Sequence, residues 1–287
     1  VRAAEAGGGG GGGPKQASTL RPRAVRLTLR PALVLSVASL LGLAMFCWPL
    51  FAHPQPSAAA HTMDAPFVFM ATLPVLILVV LAELSRGGID AKALALLGVL
   101  SAVNAGLRPL GAGTGGVELV FFLLVLAGRV FGPGFGFVLG STSLFTSALL
   151  TAGVGPWLPF QMLASSMIGL GAGLLPKARG KAEIALLVAY GVFAAYFFGV
   201  LMSLWTWPFL AGTATELGFV PGAPLPENLH RFAVYTVLTS TLGWDTGRAV
   251  TNAVAIVLLG PAVLTVLRRA ARRAAFDAPV GFDQSQL

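Results

Sequence analysis

At 287 residues the chain is long enough for one or two soluble domains, but 56% hydrophobic and only 10% charged residues, with a mean hydropathy of +0.82, exclude that class and place it in lipid. The single cysteine, Cys47, excludes an internal disulfide and any Cys-based metal site. The formal net charge of +8 invites a nucleic-acid role, which the distribution of the basic residues argues against below.

The first 31 residues, with Gly7 to Gly13 in an unbroken run and scattered arginines, bury nothing and are expected to be a disordered, basic cytoplasmic tail. A bilayer core of ~30 Å takes about 20 apolar residues per helix, and eight stretches approach that: 32–52, 65–84, 93–110, 117–131, 136–152, 157–175, 183–207 and 248–267. Runs such as "VLILVVLAEL" and "VAIVLLGPAVLTVL" lack the apolar-polar alternation of a membrane barrel, so the fold class is all-α and polytopic. The first span is longer than a signal-peptide core, and "HPQPSAAAH" is a weak cleavage site, so 32–84 reads as a two-helix membrane prefix. The turn "LSRGGIDAKALALL" separates it from a six-helix core, 85–270, followed by a tail, 271–287.

With both termini cytoplasmic, sixteen of the nineteen Lys and Arg fall on the cytoplasmic side; only Arg108, Arg231 and Arg248 fall outside. Basic charge here encodes topology and gives no reason to invoke nucleic acid.

Helices in lipid associate through close backbone approach at small residues. Span three carries Gly98, Ala102 and Gly106 at four-residue spacing, with Ala91 and Ala95 a turn earlier. This stripe starts at the cytoplasmic surface, where another membrane protein can dock. Span six carries Ser165, Gly169 and Gly173, which reads first as packing inside the bundle. Between spans four and five, "GPGFG" predicts a tight turn with positive-φ residues. No "GxxxxGK[ST]" occurs, so the chain has no visible ATPase of its own.

Polar and aromatic residues collect at the outer ends: Asn104, Arg108 and Glu118 around "RPLGAGTGGVE", then Trp157 and Gln161 in "GPWLPFQM", then Trp244, Asp245, Arg248 and Asn252. Singly, Asp245 can cap a helix, Arg248 can snorkel and the tryptophans can form an aromatic belt. Asn104 with Arg108, and Arg248 with Asn252, are i,i+4 pairs that each turn one polar face the same way. Two such faces beneath a packed lid, the outer loop 208–247, make a substrate-binding cavity open to the outside.

Residues 91 to about 270, above all "AKALALLGVLSAVNAGLRPLGAGTGGVELVFFLLVLAGRVFGPGFGFVLG" and "TSALLTAGVGPWLPFQMLASSMIGLGAGLLP", resemble the substrate-binding S components of energy-coupling factor (ECF) transporters. The resemblance implies a six-helix core that binds a vitamin at its outer face and docks to a transmembrane coupling protein (T component). Two ATP-binding-cassette ATPases on separate chains then supply the energy, and this chain is not itself an enzyme. It also implies an Ala-x-x-x-Ala docking face, which Ala91 and Ala95 match literally, while Gly98 and Gly106 around Ala102 depart from it. The two-helix prefix resembles extended actinobacterial members, and the overall character is similar to cobalamin-type S components, whose large vitamin a roomy outer loop suits. No covalently bound cofactor and no metal is expected.

Two other readings stand beside it. A self-sufficient secondary transporter or channel needs acidic groups or broken helices near the midplane, and the acids within the spans, Glu83 and Glu118, lie near helix ends. An intramembrane enzyme would draw its nucleophile from Ser141, Ser143 or Ser147, yet His53, His61 and His230 all fall in outer loops.

Overall fold

Segments that are apolar on every face satisfy their backbone polar groups in lipid only by closing them into helices, and the apolar segments among the described residues do so. The computed structural model describes residues 28–51, 74–75, 77–78, 82, 91–111, 115–207, 217–220 and 222–274. The chain runs through α1 (Leu29–Phe51), α2 (Ala91–Leu107), a 3-10 turn (Pro109–Gly111), α3 (Val120–Phe131), α4 (Pro133–Leu150), α5 (Leu158–Leu174), α6 (Gly180–Thr206), α7 (Leu225–Thr236), a π-helical segment (Val237–Asp245) and α8 (Thr246–Ala274). No strand occurs among the described residues.

Among the described residues five helical stretches are long and apolar enough to cross a membrane: Leu29–Cys47, Ala91–Gly111, Pro133–Leu150, Gly180–Thr206 and Leu225–Ala274. The helices α3 and α5, at 12 and 17 residues, fall short of that length. The expected spans coincide closely with these helices, except that α8 continues to Ala274. The span expected at 65–84 lies largely outside the described residues, where only Pro74, Val75, Ile77, Leu78 and Ala82 are helical. The two terminal tails lie outside them as well, apart from the ends of α1 and α8.

From α2 to α6 successive helices run in opposite directions, while α1 runs the same way as α2, and the bundle has two ends. The proximal end holds the starts of α1, α2, α4 and α6 and the finishes of α3, α5 and α8; the distal end holds the opposite termini and α7. At the centre stands α3, all twelve of whose residues are buried. At 1.5 Å per residue it is only ~18 Å long, so it is walled by its neighbours and leaves room above its distal N-terminus.

Glycine makes this packing possible. A Cβ on Gly136 would collide with the backbone oxygen of Gly169, and one on Gly169 with that of Gly136; Gly128 lies against the same turn of α5. Because the obstacle is backbone and cannot rotate away, Gly169→Ala is expected to cost ~1–3 kcal/mol. Gly98→Ala, which meets nothing within 4 Å, is expected to be neutral. Paired thermal unfolding curves in one detergent check the contrast.

The tight turn expected at "GPGFG" is confined to one residue: Gly132 alone breaks the chain, at φ 98°, and Pro133 already occupies the first turn of α4, a favoured position for proline. Within the outer loop expected to form a packed lid at 208–247, the described residues Leu225–Thr236 are an amphipathic helix that continues through π turns directly into α8. The first helix of the expected two-helix prefix packs into the core. Leu35, Ala38 and Phe46 of α1 are buried, Phe46 meets Phe160 edge-on at 5.1 Å, and Gly42 admits the Leu163 side chain.

Arg129, expected to serve as an orientation charge, is buried at the proximal end. Its Nε donates to Glu183 Oε1 at 2.8 Å, and its Nη1 to the carbonyls of Leu175 (2.9 Å) and Pro176 (2.8 Å). Arg268 Nη2 reaches the other oxygen of Glu183 at 2.7 Å. Placing an ion pair in lipid is costly unless its remaining hydrogen-bonding positions are filled, and here the α5–α6 connection fills them.

Candidate functional site: a polar hollow at the distal end

Above the short α3 the 3-10 turn and residues 115–119 fold over the start of α8. Gly115 (φ 63°) and Gly116 (φ 102°) adopt backbone angles that other residues rarely tolerate, and a Cβ on Gly116 would strike the backbone of Trp244. That close approach delivers Glu118 to Arg248, 130 positions away in sequence.

The π segment does the complementary work. Its wider turns carry one extra residue relative to an α-helix and rotate Asp245 to full burial against Gly199, whose missing side chain makes space for the carboxylate. Ser240 Oγ donates to Asp245 Oδ2 at 2.8 Å, and Thr246 Oγ1 donates back to Thr241 O at 2.6 Å.

These elements assemble a continuous network. Arg248 donates from Nε to Glu118 Oε2 (2.6 Å) and from Nη1 to Asp245 Oδ1 (2.9 Å), while its guanidinium lies 5.2 Å from the Phe198 ring centre. Arg108 Nη2 donates to Gln161 Oε1 (2.9 Å), and its Nε stands 3.6 Å from Glu118 Oε1. Two guanidinium groups thus face two carboxylates, and the formal charges balance. A hollow of about 290 Å³ opens over this network, with Arg108, Glu118, Trp244, Arg248 and Thr151 in its wall.

Of the residues singled out in the sequence, Arg108, Glu118, Trp244 and Arg248 line the hollow. Asp245 and Gln161 support it from behind, each holding one arginine. Asn252 is fully buried and donates to Glu118 O (3.2 Å) and Arg248 O (2.7 Å), so it braces the network. Asn104 and Trp157 do not join it. Asn104 donates to Ser143 Oγ (3.0 Å) in the α2–α4 interface, and Trp157 is partly exposed with its Nε1 bonded to Gly153 O (3.3 Å). The i,i+4 reading of the Asn104–Arg108 pair fails because the helix ends at Leu107, which frees Arg108 to turn away.

Phe198, Ser240 and Thr151 were missed. Nothing in their local sequence marks them, since each acquires its place only when α6, the π segment and α4 meet the arginines. The distal end of α6 is closed by Trp207, which packs on Phe219 (5.2 Å) and Phe232 (5.3 Å) and donates to Leu217 O (2.9 Å).

The five small residues of α2 behave uniformly. Ala91, Ala95, Gly98, Ala102 and Gly106 are all exposed, and a Cβ on either glycine would meet nothing within 4 Å. Of the α4 serines, Ser141 Oγ donates within its own helix to Val138 O (3.1 Å), Ser143 accepts from Asn104, and Ser147 Oγ is buried with no hydrogen-bond partner among the described residues.

Comparison with known proteins yields no matching family model, no matching curated protein and no matching solved structure.

Proposed function

We propose that this chain is the non-catalytic, substrate-binding subunit of an ECF-type importer, capturing a vitamin or related micronutrient in the distal hollow. The observation that carries the reading is the charge-balanced network of Arg108, Glu118, Arg248 and Asp245 beneath a cavity open at one end of an apolar bundle. Ligand sites of this kind combine a preformed hollow with a few fixed polar groups. The network's zero formal charge favours a neutral or zwitterionic solute. At about 290 Å³ the hollow stands at the bottom of the ~300–1,000 Å³ range of ligand pockets. A small vitamin therefore suits it better than a cobalamin.

The distal end is the outer one in this reading. Among the described residues Arg30, Lys92, Lys177, Arg179, Lys181 and the four arginines from Arg268 to Arg273 sit proximally, against Arg108, Arg231 and Arg248 distally, and basic residues concentrate on the cytoplasmic side of bacterial plasma membranes. The uncovered small-residue face of α2 suits docking to a transmembrane coupling protein, with two ATPases behind it.

Vesicles carrying the chain with or without a coupling protein and ATPases, offered a panel of radiolabelled B vitamins, test the proposal. Uptake of one vitamin is expected only with the ATPases present, and Gly98→Leu is expected to abolish uptake while binding persists. Uptake by vesicles lacking any ATPase would instead establish a self-sufficient transporter.

A further inference from the structure

A second hollow, of about 710 Å³, lies between α6 and α8 at the proximal end, remote from the polar site. Along α6 it runs from Lys181 to Val188, and along α8 from Arg268 to Val257. At 1.5 Å per residue these stretches measure ~10 and ~16 Å. One leaflet of a ~30 Å hydrocarbon core is about that deep. Pro261 accounts for part of the space: it cannot donate to the carbonyl one turn earlier, at Val257, so the ladder of α8 is interrupted within the groove wall.

The chemistry changes along the groove. Val188, Val257 and Leu264 make its deeper wall apolar, whereas Lys181 and Arg268 stand at the mouth. Glu183 contributes one negative charge there, but both its oxygens are engaged by Arg129 and Arg268. The mouth therefore carries two positive charges on one side, one from the Arg129–Glu183–Arg268 cluster and one from Lys181, against no free carboxylate among the described residues. Lys181 is exposed and makes no hydrogen bond or ion pair to any described residue.

We infer that this groove holds one anionic phospholipid, its phosphate between Lys181 and Arg268 and an acyl chain laid along Val188 and Val257. The match of length to one leaflet and the placement of charge at one end distinguish a lipid from a soluble anion, which has no use for the apolar wall. The inference needs only a membrane-embedded chain and does not depend on what the distal hollow binds.

The test is native mass spectrometry of the full chain in detergent, titrated with phosphatidylglycerol or with phosphatidylcholine bearing the same acyl chains. Tighter retention of phosphatidylglycerol is expected, with the preference reduced about fivefold by Lys181→Ala and lost in Lys181→Glu. Ala185→Trp, at an exposed groove position, is expected to abolish retention of both lipids while thermal unfolding without lipid stays unchanged. Equal retention of the two lipids, a preference indifferent to Lys181→Glu, or displacement of the lipid by inorganic phosphate alone would each overturn the inference.

Discussion

Glu183→Gln is expected to lower stability by about 3–5 kcal/mol, because it removes the carboxylate that Arg129 and Arg268 share and leaves Arg129, whose side chain is 1% exposed, as an uncompensated charge inside the bundle. Two backbone carbonyls still accept from Arg129, but carbonyls do not neutralise it. The readout is the midpoint of thermal unfolding in detergent, where a fall of at least ~6 °C is expected. The double replacement Arg129→Met with Glu183→Leu is expected to recover a large part of the loss, since exchanging a buried pair for apolar groups is often neutral. If the single variant unfolds at the parent's temperature, the ion cluster is not what secures the proximal end.

The second large effect is at the other end. Arg248→Ala takes away the group that touches Glu118, Asp245 and the Phe198 ring at once. Truncating one member of a buried, hydrogen-bonded charge pair costs roughly 2–5 kcal/mol, so capture of solute in the distal hollow is expected to weaken by more than about thirtyfold. Arg248→Lys keeps the charge and loses the fork that spans two carboxylates, so it is expected to fall between the parent and the alanine variant. Arg108→Ala should weaken capture with less damage to the fold, since that side chain is more exposed and its approach to Glu118 is longer, at 3.6 Å. Isothermal titration set against unfolding midpoints separates the two contributions. Loss of stability without loss of capture in Arg248→Ala would make the network purely architectural.

The helices α1 to α6 were legible because hydropathy alone specifies where a segment must become a helix in lipid, and they begin and end close to where apolar composition begins and ends. The small-residue face of α2 was equally legible, for a stripe at four-residue spacing is a property of one helix. What composition could not reveal is what a helix does after it leaves the apolar regime. Residues 225–245 mix charged, polar and aliphatic side chains, so they resemble a loop, and only the packing of Trp207 and Phe232 and the burial of Asp245 against Gly199 make a continuous helix of them.

The distal site was partly legible for the same reason. Arg248 and Asn252 share a face of one helix, and that face does turn inward. The pairing of Glu118 with Arg248 depends on two left-handed glycines bringing a distant loop across, which no spacing encodes. Asn104 shows the opposite case: its amide nitrogen donates to Ser143 in a helix interface while its Oδ1 is buried without a partner among the described residues, because the direction a side chain faces follows from how helices cross.

The measurement that bears most directly on the central claim is mass spectrometry of small molecules released from the chain after mild-detergent purification from cells grown in rich medium. The account predicts one micronutrient at about one molecule per chain, absent from Arg248→Ala and retained by Gly98→Leu. A chain that releases no small molecule, or one whose bound molecule is indifferent to Arg248, contradicts it.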